Sequence, residues 1–193
     1  MESLIQFLNT IVALPSEEET KFKKLLKQRS LSKGEFFIQE GDIPKKFAFI
    51  DHGLFRYYYL KSKGNEYTKN FIPEGNFLAA YSAMIAQKPS AMFIEALEDS
   101  TVFEINYGDW VLLKEGHPCW NKFLVSLLEK AFTIKETRER EFLLLDAQER
   151  YAIFRRDFPG LENRIKQHYI ASYLGISPVS LSRLRKKVTV NIG

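Results

Sequence analysis

The chain has 193 residues, of which 45% are hydrophobic, 27% charged and 14% aromatic. This size allows one large domain or two small ones with an ample core, and the composition is ordinary for a soluble globular protein. The single cysteine, Cys119, excludes an internal disulfide framework and an all-cysteine metal cluster. No apolar run approaches the ~20 residues that span a bilayer, and the N-terminus lacks the features of a signal peptide. We therefore expect a cytoplasmic protein without a membrane partner.

The net charge of +4 is unevenly distributed along the chain. Residues 160–193 contain six lysines or arginines and one acid, a net charge of +5, which leaves −1 for the first 159 residues. A basic terminal segment on a nearly neutral body predicts a local contact with a polyanion and not a uniformly basic surface.

The N-terminal segment, residues 2–28, has the pattern of a helix. Ser16 and Glu19 follow Pro15 with the spacing of a capping box, so we expect a helix to start there. Phe22 and the leucines after it form one apolar stripe at helical spacing.

From about Leu31 the pattern changes to that of a small antiparallel β-structure. Glycines recur at 34, 41, 53, 64 and 75, and the runs between them are β-branched or aromatic, as in LFRYYYL. Turn signals at this spacing predict a sandwich or barrel, and the runs AMFIEAL and STVFEI predict two further strands at 91–105. Residues 81–90 interrupt the strands and are expected to form a short helix and a loop. The block 31–106 is thus predicted to be a β-roll with an aromatic interior.

The longest helical pattern extends from Trp110 to about Leu145. Apolar residues within it alternate by three and four, as in the seam of a coiled coil. A long helix with such a seam is expected to pair with its own copy in a two-fold dimer. The alternative is that the seam packs on the β-roll of its own chain. The residues of the predicted seam are Leu124, Leu127, Ala131 and Ile134.

A further helix is predicted from Asp146, because Asp146 and Glu149 have the spacing of a second capping box. The sequence Phe158-Pro159-Gly160 ends this helix. The boundary between the body and the terminal module therefore lies near 145. The predicted domains are 1–145, which includes the dimerisation helix at about 110–145, and 146–193.

The segment 167–187 predicts a helix-turn-helix. Gly175 can take the positive φ of a sharp turn, Ser177 is a good N-cap, and Pro178 suits the first helical position. The second helix has a basic outer face, which fits a DNA major groove. The alternative is an ordinary pair of helices with a solvated basic face. The predicted inner positions are apolar at helical spacing: Ile170, Leu174, Leu181 and Leu184.

With a β-roll, a long helix and a helix-turn-helix in this order, the chain resembles the CRP/FNR family of bacterial transcription regulators over nearly its full length. IDHGLFRYYYLKSKGNEYTKNFIPEGNF carries the glycine rhythm of the family's roll, and EALEDSTVFEI resembles the strands that close the cyclic-nucleotide-binding fold. LLLDAQERYAIF resembles the segment that joins the dimer helix to the DNA-binding domain. IASYLGISPVSLSRLRKK resembles the family's helix-turn-helix closely.

The resemblance implies an α+β fold. Its parts are an N-terminal antiparallel β-roll of the cyclic-nucleotide-binding type with flanking helices, a long dimerisation helix, and a C-terminal, winged-helix-like, all-α helix-turn-helix. The implied function is that of a homodimer that binds double-stranded DNA at a palindromic operator through helix 178–187 and contacts RNA polymerase. No enzyme motif appears in the sequence, so we expect no catalysis. The alternative is a ligand-sensing module whose C-terminal helices bind a protein.

The ligand motif departs from the family pattern. Members that bind cyclic AMP hold its phosphate and ribose with a Gly-Glu pair followed by Arg-Ser or Arg-Thr, where this chain has Ala79-Ala80 and Ser90-Ala91. A cyclic phosphate in a partly buried site needs a cation or a nest of N–H groups, so we expect no cyclic AMP. The altered pocket would take an apolar ligand or be filled by its own side chains. Its expected lining is Phe77, Ala79, Ala80, Tyr81, Met84, Ser90, Ala91 and Phe93.

The other cofactors of the family are also not expected. The iron–sulfur branch needs several cysteines, and the haem branch needs axial ligands, whereas His52, His117 and His168 are scattered. The effector, if there is one, is unknown. Only residues 188–193 follow the predicted recognition helix, and the segment 159–165 is short, so the β-hairpin wing is expected to be reduced or missing.

The resemblance assigns base reading to the second helix. Arg183 matches the arginine with which family members read a guanine, the commonest specific contact. Pro178 and Val179 stand where other members have polar base readers and would offer only van der Waals contact. Ser177 is predicted to bond a phosphate at the helix N-terminus. The remaining predicted contacts are Ser180 and Ser182 to a phosphate or base edge, His168 to the DNA backbone, and Arg185, Lys186 and Lys187 to phosphates.

Overall fold

The computed structural model describes residues 1–61 and 64–190, the last four of these as backbone only. Two four-stranded antiparallel sheets form the roll, in the orders β1-β8-β3-β6 and β2-β7-β4-β5. Their strands are β1 Lys27–Leu31, β2 Phe36–Ile38, β3 Lys46–His52, β4 Leu54–Lys61, β5 Asn65–Pro73, β6 Phe77–Leu78, β7 Phe93–Ala96 and β8 Ser100–Asn106.

Eight helices surround or follow the roll within the described part of the chain. Three of them precede or interrupt the strands, and five come after the last strand. Their bounds are α1 Glu2–Ile11, α2 Ser16–Leu25, α3 Tyr81–Ala86, α4 Tyr107–Gly116, α5 Pro118–Leu144, α6 Ala147–Asp157, α7 Gln167–Leu174 and α8 Pro178–Val190, with a turn of 3₁₀ helix at Leu161–Asn163. None of these helices combines the length and apolar character that a bilayer span requires.

The predicted α+β architecture and the order of its parts are confirmed. The interior of the roll consists of alternating strand residues, such as Ile50, Phe55 and Ile94, which are fully buried. A tight turn joins β3 to β4 at Gly53, whose φ is +115°; a Cβ there would lie 2.1 Å from the Oγ of Ser100. Only glycine fits this position, so the two sheets meet closely at this corner.

The N-terminal segment differs from its prediction. It contains two helices, and the helical pattern predicted for 2–28 ends at Leu25, because residues 27 and 28 already belong to β1. The capping box at Ser16 and Glu19 is wrong, because α2 begins one residue earlier than expected. Pro15 is the N-cap residue, and its carbonyl accepts a hydrogen bond from Glu19 N at 2.9 Å. Ser16 is already helical, and the Glu19 carboxylate pairs with Lys23 at 2.5 Å.

The long helical pattern from Trp110 is divided into two helices, which corrects the continuous helix expected there. His117 has an extended backbone, with ψ at 136°, because the residue before a proline avoids the helical conformation. Its imidazole Nδ1 accepts a hydrogen bond from Cys119 N at 3.2 Å and caps α5. Trp120, in the first turn of α5, donates to the buried carboxylate of Glu18 at 2.7 Å, so α5 starts from a fixed point on α2.

The predicted capping box at Asp146 and Glu149 is confirmed. The Asp146 carboxylate accepts from Gln148 N and Glu149 N at 2.8 and 2.9 Å, and Glu149 accepts from Asp146 N at 2.8 Å. The chain therefore turns between α5 and α6, close to the predicted domain boundary. The hydrophobic core, however, continues across this boundary. Leu54, Phe71 and Leu97 of the roll share one cluster of buried residues with α6, α7 and α8.

Candidate nucleic-acid interface and ligand cavity

The turn between α7 and α8 has the predicted chemistry. Gly175 caps α7 with φ at +70°, and Ile176 N donates to Ala171 O at 3.0 Å. A Cβ on Gly175 would lie 2.8 Å from the ring of Phe142 on α5. Glycine is therefore favoured here by the left-handed backbone, and its lack of a side chain lets the ring of Phe142 approach closely.

The start of α8 is also as predicted. Ser177 Oγ accepts a hydrogen bond from Ser180 N at 3.1 Å, and Leu181 N donates to Ser177 O at 3.1 Å. Pro178 is the first helical residue. The inner positions lie in the core, with Ile170, Leu174 and Leu181 buried and Leu184 packed against them. The two helices thus form a helix-turn-helix held by one apolar seam.

The outer face of α8 is accessible. The structure shows Val179 61% exposed. Pro178, Ser180, Ser182, Arg183 and Lys186 are also exposed on this helix. Lys187 belongs to α8, but its side chain lies outside the described residues. The exposed side chains near the N-terminus of α8 are small, and Arg183 and Lys186 add positive charge further along the helix.

Arg185 is engaged within the module. Its Nε lies 3.7 Å from the Glu162 carboxylate, which also accepts from Tyr151 Oη at 2.6 Å and pairs with Arg155 at 3.5 Å. Burial, together with the adjacent Glu162 carboxylate, raises the pKa of Tyr151 to about 12. Glu162 therefore connects α6 to α8 through Tyr151, Arg155 and Arg185.

His168 lies on α7, and its side chain is exposed. Its ring is 4.2 Å from that of Tyr169. Burial lowers the pKa of His168, and the positive charges of Lys166 and Arg56 lower it further. The charged neighbours of this histidine thus include residues of the roll.

The helix-turn-helix is fastened to the roll through the edge strand β5. Ser172 Oγ accepts from Thr68 N at 2.9 Å and donates to Glu66 O at 2.8 Å. These two backbone groups lie on the outer edge of β5, with which no further strand pairs in the described part of the chain. The Ser172 side chain on α7 therefore satisfies backbone groups of β5 that a neighbouring strand would otherwise pair with. On the other side of the module, Arg164 pairs with Glu74 at 2.9 Å and with Glu98.

A buried arginine lies beneath this contact. Arg56 is fully buried; it donates to Glu66 at 2.6 Å and to Thr68 Oγ1 at 2.9 Å. Its guanidinium is 3.9 Å from the ring centre of Tyr169 on α7 and 4.3 Å from that of Tyr58. Its Nη2 makes no hydrogen bond to the described residues. The arrangement joins the roll to α7 through charge and aromatic faces.

The end of α5 provides a third attachment. Arg138 Nη2 donates to Tyr173 O at 2.6 Å, and its guanidinium lies 3.4 Å from the centre of the Tyr173 ring. Burial lowers the pKa of Arg138. Sequence reasoning did not identify Arg56, Ser172 or Arg138. The available signal was Arg56 itself, a charged residue within the aromatic strand LFRYYYL.

A cavity of about 880 Å³ lies between the roll and α5. Its deep wall is apolar and aromatic, formed by residues such as Phe77, Trp110 and Phe123. The Tyr57 hydroxyl in this wall is already satisfied, since it accepts from Ala79 N at 2.8 Å and donates to Ala79 O at 3.4 Å. Four residues predicted to line the pocket do so: Phe77, Ala79, Tyr81 and Met84.

The other four predicted lining residues do not reach the cavity. Phe93 stacks on Tyr58 at 4.9 Å, on the outer face of the sheet, because side chains alternate along β7 and Ile94 takes the inner position. Ala80 is fully buried in the roll core. Ser90 is buried and bonds the backbone of Met92, and Ala91 is exposed in the same loop.

The two halves of the predicted dimer seam have different environments in the structure. Leu124 and Leu127 pack against the core beneath α5, whereas Ile134 is 50% exposed and Ala131 is exposed as well. A second stripe, displaced by one residue, is more exposed. Its members follow the same spacing of three and four and are Val125 at 52%, Leu128 at 37% and Phe132 at 65% exposure.

Comparison with known proteins agrees with this architecture. Residues 28–116 match the family model of the cyclic nucleotide-binding domain. No curated protein matches the sequence. Among solved structures, FixK2 from Bradyrhizobium japonicum superposes with a TM-score of 0.75 at 18% identity, covering 86% of this chain and 85% of that one.

Two further structures are similar. The c-di-GMP-responsive global regulator CLP from Xanthomonas campestris has a TM-score of 0.74 at 14% identity and covers 92% of this chain and 93% of its own. A protein of the crp/fnr family from Eubacterium rectale has a TM-score of 0.71 at 17% identity, with coverage of 92% and 85%. Residues 28–116 therefore match a cyclic nucleotide-binding domain, and the fold of the chain is similar to the folds of FixK2, CLP and the crp/fnr-family protein.

Proposed function

We propose that the chain is a sequence-specific, DNA-binding transcription regulator that acts as a homodimer. The observation that carries this proposal is the outer face of α8. It is exposed, small at its N-terminal end and basic further along, while its inner face is buried against α7. A helix of this kind fits the width of a DNA major groove. The proposed sensor and DNA-binding domains are 1–145 and 146–193.

Within this proposal, Arg183 reads a guanine, and Lys186 and Lys187 attract phosphates. The exposure of Val179 supports its proposed apolar contact with a base, such as a thymine methyl group. Pro178, Ser180 and Ser182 are exposed beside it and complete the reading face. Ser177 Oγ accepts a hydrogen bond from Ser180 N, so the proposed phosphate contact of Ser177 is made by its hydroxyl hydrogen.

Dimerisation is proposed through α5. The stripe Val125, Leu128 and Phe132 exposes apolar surface along two turns of a long helix, with Ala131 and Ile134 beside it. Two copies related by a two-fold axis would bury this surface against itself. Leu124 and Leu127 then support the helix from the roll side. Such a dimer presents two copies of α8 to a palindromic operator.

The proposed effector site is the cavity, and the effector is not cyclic AMP. The positions where family members hold the phosphate are Ala79-Ala80 and Ser90-Ala91, which supply no cation. We also propose no haem and no iron–sulfur cluster, since the one cysteine is buried and His117 serves as a helix cap. We propose RNA polymerase as a further partner and no catalytic activity; among the similar proteins named above, CLP is a global regulator.

The test is selection from a randomised duplex library with heparin as competitor, at two salt concentrations. The expected result is a palindromic motif with half-sites about one helical turn, ~34 Å, apart. Salt should weaken binding, because phosphate contacts release counterions. Failure to enrich any motif with folded, dimeric protein would overturn the proposal in favour of a module whose terminal helices bind a protein.

A further inference from the structure

The cavity between the roll and α5 has a polarity gradient that runs from its floor to its opening. The floor consists of buried side chains, among them Met84 at 1%, Phe123 at 2% and Trp110 at 3% exposure. These residues provide no free donor or acceptor for a ligand except the Trp110 N–H, and Tyr57 Oη is satisfied by Ala79. A polar head group in this depth would therefore lose its hydration without replacement.

The opening of the cavity is cationic. Lys69 on β5 and Lys130 and Lys135 on α5 are exposed lining residues, and none of the three forms an ion pair among the described residues. They lie on both long sides of the opening, since β5 and α5 face each other across it. Arg138 also lines the cavity but is engaged with Tyr173. Among the described residues that line the cavity, Glu139 is the single acid.

We propose that this cavity binds an amphipathic anion, a molecule with an elongated apolar body and one anionic head group. The body lies against the aromatic floor, where burial of apolar surface is favourable. The head stays at the opening, within reach of the lysines, where it keeps part of its hydration. The inference rests on the proposed sensor role of the roll and names the ligand class of that site.

The charge pattern distinguishes this ligand from a cyclic nucleotide. A cyclic nucleotide carries its anion within the ligand's body and exposes polar edges all round, which the apolar floor does not match. An alkyl carboxylate separates the two properties, as the cavity does. The volume of about 880 Å³ lies within the range of small-molecule sites and leaves room for such a chain.

The experiment uses three probes with the same alkyl chain: decanoic acid, decanol and decyltrimethylammonium. Binding to the full chain is measured by calorimetry without DNA, with intrinsic tryptophan fluorescence, to which Trp110 in the cavity wall contributes, as a second readout. The acid should bind most tightly, the alcohol less tightly and the cation most weakly. Lys130→Gln and Lys135→Gln should each weaken binding of the acid about two- to fivefold and leave the alcohol unchanged.

Two further variants complete the design. Lys122 also lies on α5 but outside the cavity lining, so Lys122→Gln should leave the affinities for all three probes unchanged. Ala79→Leu fills the cavity from the roll side, away from the face of α5 proposed for dimerisation, and should reduce binding of every probe. Equal affinity for the acid and the alcohol, or no binding of the acid at all, overturns the inference. Recovery of a DNA motif in the separate library selection would then leave the proposed function standing.

Discussion

Arg183 and Lys186 lie on the same exposed helix but have different proposed roles: Arg183 reads a base, and Lys186 attracts phosphates. Replacing Arg183 with alanine should cost about 1–3 kcal/mol on the selected site and relax the base preference at one position. Lys186→Ala should weaken binding to all sequences alike and reduce the salt slope by about one. Both effects are read from binding isotherms on the selected and a scrambled duplex. Identical losses on the two duplexes in both variants would remove the base-reading role of Arg183.

Arg56 shows how a buried charge couples two parts of the molecule. Glu66→Gln removes its principal carboxylate and leaves the guanidinium buried, which should lower the free energy of unfolding by about 1–3 kcal/mol. The double variant Arg56→Met/Glu66→Gln removes the buried charge too and should recover part of that loss. Urea unfolding measures both, with Glu40→Gln, an exposed carboxylate, as the control. A double variant less stable than Glu66→Gln alone would contradict this account.

At the scale of single residues, the sequence predicted those positions whose role is local. Gly175, Ser177, Pro178 and Asp146 act on backbone groups within four residues of themselves, so their chemistry is readable from spacing alone. The prediction placed Phe93 on the inner face of β7, but it lies on the outer face, since alternate residues of a strand point to opposite faces of the sheet. Which residues point inward is set by the register of β7 against β4, in which Phe93 lies opposite Tyr58. A shift of one residue would exchange the two faces.

At the scale of elements, α5 has two apolar stripes one residue apart. Phe132→Glu places a charge in the exposed stripe and should convert the dimer to monomer at concentrations where the wild type is dimeric. Sedimentation velocity measures the change. Lys122→Glu, a charge reversal on the same helix outside the stripe, should have no effect. A dimer that survives the Phe132 substitution would exclude this face of α5 as the interface.

The same helix shows why the seam was predicted one residue away from the exposed stripe. Leu124, Leu127, Val125 and Leu128 are all apolar, so periodicity permits either choice. The roll covers the first pair, and only its position decides which stripe remains open. The break at His117, in contrast, was readable, because a proline follows it.

At the scale of the whole molecule, the two walls of the cavity are also the two supports of the helix-turn-helix. Strand β5 contributes Lys69 to the opening and binds Ser172 through residue 68, while α5 contributes Arg138 to the lining and holds Tyr173. A molecule that fills the cavity therefore touches both elements that fix α7. This arrangement gives the proposed sensor a direct physical connection to the proposed DNA-binding helix.

Ser172 tests that connection. Ser172→Ala removes two hydrogen bonds and leaves the Thr68 N–H without its acceptor, which should lower the free energy of unfolding by about 1–2 kcal/mol. Hydrogen exchange at the Thr68 amide should become faster, because that group then opens to solvent at the sheet edge. Ser126→Ala, an exposed serine on α5, is the matched control. Unchanged exchange at Thr68 would show that Ser172 does not hold this edge.

The sequence by itself determined the kind and order of the parts: an aromatic β-roll, a long helix and a helix-turn-helix with a basic outer face. These depend on periodicity, capping and turn residues, which act over a few positions. Only the tertiary structure decided the cavity, the open stripe of α5 and the docking through Arg56, Ser172 and Arg138. Each of these joins residues that are distant in sequence, and their contacts depend on strand register and helix placement, which local patterns do not specify.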